Sequence, residues 1–255
     1  MIEKAAINQV NGHLEANNLE EVAQSAYKCK HSTETALLVV KDHISRALDN
    51  NHAVFLVMLD LSAAFDTIDH DILFHRFDND FGIKGTALNW FKSYMSNRSF
   101  TVSVGGHMSN VYNLDYGVPQ GSIIGPKAFT MYSQPVAAII RKYGIQFHIY
   151  ADDIQLYASF DPKIPGDSAC AMFKLMKCVE EIHQWMNDNK LKLNESKTEF
   201  FIAASKHNRT TILQNTTLHI GSEVIHPSDT IKNLGVHFNT TMDMSSEVTS
   251  ILPLC

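Results

Sequence analysis

Seven consecutive apolar residues, Ala53–Leu59, run without interruption into a carboxylate at Asp60. An apolar run of this length reads as a strand buried on both faces, and it is far too short to cross a bilayer. A chain organised around such a strand needs a real core. The 255 residues, 45% hydrophobic and 19% charged, supply one and exclude a disordered or collagen-like polymer. The length fits one large domain or two intimate ones.

The flanking pattern mixes two periods. Residues 3–18 predict a helix with Ile7, Val10 and Leu14 on one face. Ser32 caps a second helix striped by Leu37, Val40, Ile44 and Leu48. Helices follow over 69–77 and 86–95, then an alternating strand over 100–104 that meets Gly105-Gly106, and a turn-rich loop at 117–122. An almost wholly apolar helix is expected over 126–140, with Pro126 in its first turn. Residues 147–156 read as two short strands pinched at 151–153. Met172, Leu175, Met176, Val179, Ile182 and Met186 have helical spacing. Strands are expected at 191–193, 199–203, 218–220, 223–225 and 234–238, with Gly221-Ser222 as a turn. Helices mixed with mostly antiparallel hairpins define an α+β class.

Charge and cysteines narrow the chemistry. The formal net charge of −6 excludes a polycation that binds nucleic acid by bulk charge. The charge is unevenly spread: residues 81–140 carry four basic groups against one acidic group. Cys29, Cys170, Cys178 and Cys255 form no CxxC pair, so they read as reduced thiols of an intracellular, non-secreted protein. No secretory signal is expected, and no histidine spacing suggests a metal site.

The chemistry rests on Asp60 at a strand end and the adjacent Asp152 and Asp153 at a hairpin tip. Three carboxylates brought together repel, and one or more takes up a proton unless a cation sits among them. Hard oxygen donors suit Mg²⁺, which shares phosphate oxygens of a substrate. Two such ions, or Mn²⁺ in their place, can activate an attacking hydroxyl and stabilise a leaving phosphate oxygen in line. Taken singly, each carboxylate also reads as a solvated turn or a strand-end cap.

The ordered set of motifs is more specific. Residues 24–38 (QSAYKCKHSTETALL) and 59–70 (LDLSAAFDTIDH) resemble the reverse transcriptase of non-LTR (LINE-type, jockey-like) retrotransposons. So do 91–94 (FKSY), 117–122 (GVPQGS), 125–126 (GP), 150–153 (YADD) and 155–157 (QLY). Residues 185–186 (WM), 191–194 (LKLN), 197–199 (KTE) and 234–236 (LGV) complete the order, so the resemblance covers nearly the whole chain.

The resemblance implies a right-hand polymerase with fingers and an antiparallel palm sheet, the thumb largely missing. It implies partial fingers at 1–52, palm with the first carboxylate at 53–80 and a fingers hairpin region at 81–116. Palm resumes at 117–240, and 241–255 is the start of a truncated thumb or an aberrant tail. Asp60, Asp152 and Asp153 match the catalytic, metal-holding carboxylates. Lys197 matches a lysine that donates a proton to the leaving pyrophosphate. Lys28, Leu61, Ser62, Ala63, Ala64, Gln120, Gly121 and Tyr150 match positions around the incoming nucleotide. Phe65 matches the ring that stacks on the sugar and excludes a 2′-hydroxyl.

The implied activity is RNA-directed DNA polymerisation: two-metal transfer of a dNTP to a primer 3′-hydroxyl. The implied partners are an RNA template, a DNA primer and dNTPs, with no membrane, in the nucleus or cytoplasm. Endonuclease and thumb regions would lie elsewhere in a complete element. The chain departs from the pattern in four places. Lys28 stands where an arginine is usual, Ile154 where a threonine is, Lys127-Ala128 where two leucines are, and Asn239 where an aspartate is. Lys127 puts a charge where an apolar helix face should pack. These departures and the expected missing thumb suggest a truncated or decayed copy. The alternative is a non-catalytic, adopted domain that binds RNA or protein.

Overall fold

The computed structural model describes residues 1–119, 121–205, 208–209, 212, 216–221 and 223–242. In chain order the elements begin with α1 (Ile2–Ala16), α2 (Thr33–Asp49), β1 (Ala53–Leu59), β2 (Leu61–Ser62), α3 (His70–Asn79) and α4 (Gly85–Met95). Four short strands follow: β3 (Ser99–Phe100), β4 (Ser103–Val104), β5 (His107–Met108) and β6 (Tyr112–Asn113). Next come α5 (Ile124–Ser133), α6 (Pro135–Lys142), β7 (Gln146–Tyr150), β8 (Asp153–Phe160) and α7 (Asp167–Asp188). The last part holds β9 (Lys192–Leu193), β10 (Glu199–Ala203), β11 (Leu218–Ile220), β12 (Glu223–Ile225), β13 (Pro227–Ser228), β14 (Thr230–Asn233) and β15 (Val236–Asn239).

Local chemistry explains where the helices begin. The Ser32 hydroxyl accepts from the Thr35 N–H at 3.3 Å, and the Thr35 hydroxyl accepts from the Ser32 N–H at 2.8 Å, a reciprocal cap that starts α2. Asp69 Oδ1 accepts from the N–H groups of Asp71 and Ile72 and starts α3. The single helix expected over 126–140 is instead broken. α5 starts at Ile124, and Pro135, lacking an N–H to donate back, begins α6. The strand expected over 100–104 is two separate ladders, β3 with β6 and β4 with β5, all on exposed residues. In the last expected strand, Leu234 and Gly235 are the turn between β14 and β15.

The chain forms two compact units. One comprises Val22–Ser62, Pro135–Met186 and the chain from Lys192 onward. It is built on a five-stranded sheet in the order β13-β10-β1-β8-β7, antiparallel except for the β10–β13 pair. β1 lies at its centre and is covered on both faces, as its apolar run demands. Val54 and Leu56 join Leu37, Val40 and Ile44 of α2 in one cluster. On the other face Phe55 packs on Phe160 and Phe200, with centroids 4.3 and 5.8 Å apart, and shares a cavity with Met172 and Met176 of α7. Cys178 on α7 is fully buried, which pushes its thiol up to about 12 and leaves it inert.

The other unit comprises Met1–Glu21, Ala63–Gln134 and Asn187–Leu191. Here α3 packs on α4 and α5, and α1 packs on α5. Lys127, expected to disturb an apolar helix face, is buried and neutralised: its ammonium donates to Glu20 Oε1 at 2.5 Å. The buried Arg76 guanidinium lies 4.5 Å over the Tyr132 ring and donates to the Asn189 side chain. Residues 22–52 fall in the unit of the five-stranded sheet, and residues 117–134 in the unit of α1 and α3.

Candidate active site

β1 delivers Asp60 at its end. The β1–β8 register runs from Ala53 opposite Phe160 to Leu59 opposite Ile154, so one further step sets Asp60 against Asp153. Directly opposed residues of an antiparallel pair point to the same face. Both carboxylates accordingly border one cavity of about 380 Å³, with Met58, Leu59, Ser196, Lys197, Glu199 and Lys232. Asp60 Oδ2 is buried in it without a hydrogen-bond partner, and the exposed Lys197 ammonium stands 3.8 Å away. The Asp60 carbonyl accepts from the Asn194 N–H at 2.8 Å, which ties the strand end to the turn carrying Lys197.

Asp152 sits in the two-residue turn between β7 and β8, where Tyr150 opposes Asp153. Burial pushes Asp153 up to about 6, helped by the charges of Asp152 and Asp60. Burial also raises Asp152, with Asp60 adding to it. Burial and the Asp152 charge raise the Tyr27 phenol. The three carboxylates therefore feel one another through a poorly solvated space.

The turn itself is strained. Ala151 is buried and holds φ +57°, a left-handed conformation that costs a non-glycine residue about 1–2 kcal/mol. Residues 23–25 line the free edge of β7. Ile149 N–H donates to the Ala23 carbonyl at 2.9 Å, and Ser25 N–H to the Ile149 carbonyl at 3.0 Å. The Ser25 hydroxyl shares a 2.9 Å hydrogen bond with His148 Nε2. Burial, then the charges of His31, His43 and Lys28, pushes His148 down to about 4, so this ring is neutral near pH 7.

The remaining expected site residues divide between the units. Lys28 and Tyr150 are half-buried in the unit of the carboxylates, where Leu61 and Ser62 also pair with β9. Ala63, Ala64, Phe65 and Gly121 belong to the other unit; Gln120 lies outside the described residues. There Phe65 packs on Phe129 with centroids 4.9 Å apart, and its carbonyl accepts from the Val118 N–H at 3.0 Å. A Cβ at Gly117 would stand 2.8–2.9 Å from backbone atoms of Phe65 and Asp66, so only glycine lets the 117–122 loop lie against the segment after Asp60.

Sequence reasoning missed Glu199 and Lys232 as cavity residues. Glu199 Oε2 is also buried without a hydrogen-bond partner, and burial pushes its carboxyl up. Glu199 is visible in the sequence only as the end of a KTE string, and Lys232 carries no signal because β14 was not foreseen. The donor set fits a divalent cation in chemistry: hard oxygens, an Asp60 Oδ2 that accepts no hydrogen bond, and neighbouring carboxyls whose burial favours their protonated form. It is not a preformed cage, since among the described residues no three His, Cys, Asp or Glu side chains converge to hold an ion. Also among the described residues, no helix is long and apolar enough to cross a membrane.

Known proteins share this pattern. The profile of the family described as "Reverse transcriptase (RNA-dependent DNA polymerase)" matches residues 1–238. The RNA-directed DNA polymerase from the mobile element jockey of Drosophila melanogaster is 24% identical over 234 residues, 89% of this chain and 24% of that protein. The probable RNA-directed DNA polymerase from the transposon X-element of the same fly is 24% identical over 244 residues, 93% of this chain and 25% of that protein. The chain thus spans about a quarter of the length of the curated relatives it matches. Among solved structures, apo telomerase from Candida tropicalis superposes with a TM-score of 0.64 at 10% identity, over 94% of this chain and 40% of that chain. That likeness is one of fold, the right-hand polymerase fold.

Proposed function

The chain belongs to the reverse transcriptase family, with RNA-directed DNA polymerases of non-LTR retrotransposons as relatives, and from that premise we propose that it adds dNTPs to a primer 3′-hydroxyl on an RNA template. Members of the family use divalent metal ions and bind RNA templates and nucleic-acid primers. The observation that carries the proposal is the cavity bordered by Asp60, Asp153 and Lys197, in which the buried Asp60 Oδ2 accepts no hydrogen bond and has only the Lys197 ammonium, 3.8 Å away, as counter-charge.

On this reading residues 53–80 and 117–240 form the palm, and residues 1–52 and 81–116 belong to the fingers. Asp60, Asp152 and Asp153 would hold two Mg²⁺ ions, or Mn²⁺ in their place. When bound, such ions supply Lewis-acid activation of the attacking hydroxyl and neutralise charge at the leaving oxygen. Lys197, beside Asp60, gives a proton to the departing pyrophosphate. Lys28 meets the triphosphate as a point charge, without the two-pronged grip of an arginine. By resemblance, Leu61, Ser62, Ala63, Ala64, Gln120, Gly121 and Tyr150 serve the incoming nucleotide, and Phe65 excludes a 2′-hydroxyl.

Primer extension by the purified chain with an RNA template, a DNA primer, dNTPs and Mg²⁺ tests this. Incorporation that falls to background in Asp152→Asn supports it. If neither protein incorporates while both are folded by circular dichroism, the polymerase reading fails for this chain. A non-catalytic RNA- or protein-binding domain then takes its place.

A further inference from the structure

Gln24 is buried, 127 positions away in sequence from the residue it serves. Its amide reaches the tip of the carboxylate hairpin and bonds both backbone groups of one residue. Gln24 Oε1 accepts from the Ala151 N–H at 3.0 Å, and Gln24 Nε2 donates to the Ala151 carbonyl at 3.2 Å. The same Oε1 accepts from the Ala26 N–H at 2.8 Å. The amide is thus held in one orientation before it meets Ala151. Its backbone neighbours Ala23 and Ser25 are tied to Ile149, which leaves Gln24 little freedom to withdraw.

We propose that Gln24 is a positioning residue that clamps Ala151 in its left-handed conformation and so aims the carboxylates of Asp152 and Asp153; in calling that aim productive, it rests on the polymerase reading above. The physical reasoning is local. Ala151 is buried, so no bulk water competes for its N–H and C=O, and an unmet polar group there is disfavoured. An alanine at φ +57° relaxes toward negative φ unless its surroundings forbid it. Any change of torsion at Ala151 swings the next two residues, which are the two carboxylates. An amide side chain offers an acceptor and a donor at the spacing of one residue's N–H and C=O, and does so without depending on a proton.

The test uses Gln24→Ala, Gln24→Glu and Gln24→Ala combined with Ala151→Gly. Two readings are taken on each: primer-extension kinetics, and amide hydrogen exchange by mass spectrometry. Gln24→Ala is expected to lower kcat by about 10- to 100-fold, with the dNTP KM changed by no more than about twofold. Exchange over residues 150–153 is expected to rise roughly tenfold, with β1 and α7 unchanged. Adding Ala151→Gly recovers part of the lost kcat, because glycine enters a positive φ without the cost that alanine bears, so the left-handed turn is populated again. A merely structural role would not be repaired by that second change.

Unaltered exchange at 150–153 in folded Gln24→Ala, or a kcat loss that Ala151→Gly does not restore, overturns the clamp. If Gln24→Ala does not fold, Gln24→Glu carries the same readings, since it keeps the acceptor and turns the donor into a repelling oxygen. If the unaltered chain incorporates nothing, the polymerase reading falls and hydrogen exchange alone judges the clamp.

Discussion

Two hairpins of this protein turn on two residues each and solve the same problem in opposite ways. Between β4 and β5 the turn is Gly105-Gly106, at φ +56° and +83°, with nothing within 4 Å of where either Cβ would be. Between β7 and β8 it is Ala151-Asp152, with Ala151 at φ +57° under the Gln24 amide. Glycine takes a left-handed torsion freely but takes many others as readily. Alanine pays for that torsion and must be held in it by partners. The exposed hairpin needs only to reverse direction. The buried one needs a single direction, because two carboxylates follow from it. Strain kept at one point by buried hydrogen bonds is how a tip becomes a fixture rather than a loop.

The contrast is easiest to break at the tips. Ala151→Val puts a β-branched residue where φ is positive and should reduce incorporation by about 100-fold or more. Steady-state primer extension measures it, and near-normal kcat in that variant would remove the need for a fixed tip. A buried amide pair lies farther along β8. Gln155 and Asn233, both fully buried, exchange two amide hydrogen bonds at 2.8 and 2.9 Å. Asn233→Leu orphans the Gln155 amide and should cost about 1–3 kcal/mol in urea unfolding. Adding Gln155→Leu should return much of that loss.

The metal-free protein should also lose stability as pH rises from about 4 to about 6. In that window the folded chain keeps the Asp153 proton, held up to about 6, while the unfolded chain has released its own near 3.8. The loss is complete above the folded value, and Asp153→Asn should flatten the curve and raise Tm by a few degrees at pH 7. An Asp153→Asn curve parallel to that of the unaltered chain would place the titration elsewhere. Smallest of all, Gly105→Ala should cost about 1 kcal/mol through its positive φ and leave incorporation per enzyme unchanged. Thermal melts and primer extension on the same preparation check both halves.

Much of this was legible along the chain. The β1 run, the Ser32 cap, the α7 stripe and the pinch before Asp153 all follow from periods and caps that act within a few residues. The break at Pro135 is also written locally, because a proline inside an apolar run stops the helix that the run alone would continue. β14 was missed because Thr230–Asn233 is short and its burial alternates with exposed polar residues. Lys127 looked misplaced because its partner, Glu20, is 107 positions away.

The sequence by itself determined the carboxylates, the strand and hairpin that carry them, and the family to which they belong, since each is written in contiguous residues. Tertiary structure alone decided what surrounds them. Glu199 and Lys232 reach the cavity only because β10 pairs with β1 and β14 follows, and Gln24 reaches Ala151 only because residues 23–25 run along the edge of β7. Hydrogen bonds and shared burial between distant positions depend on the order in which strands assemble. No local period encodes that order, so it becomes visible only once the chain has folded.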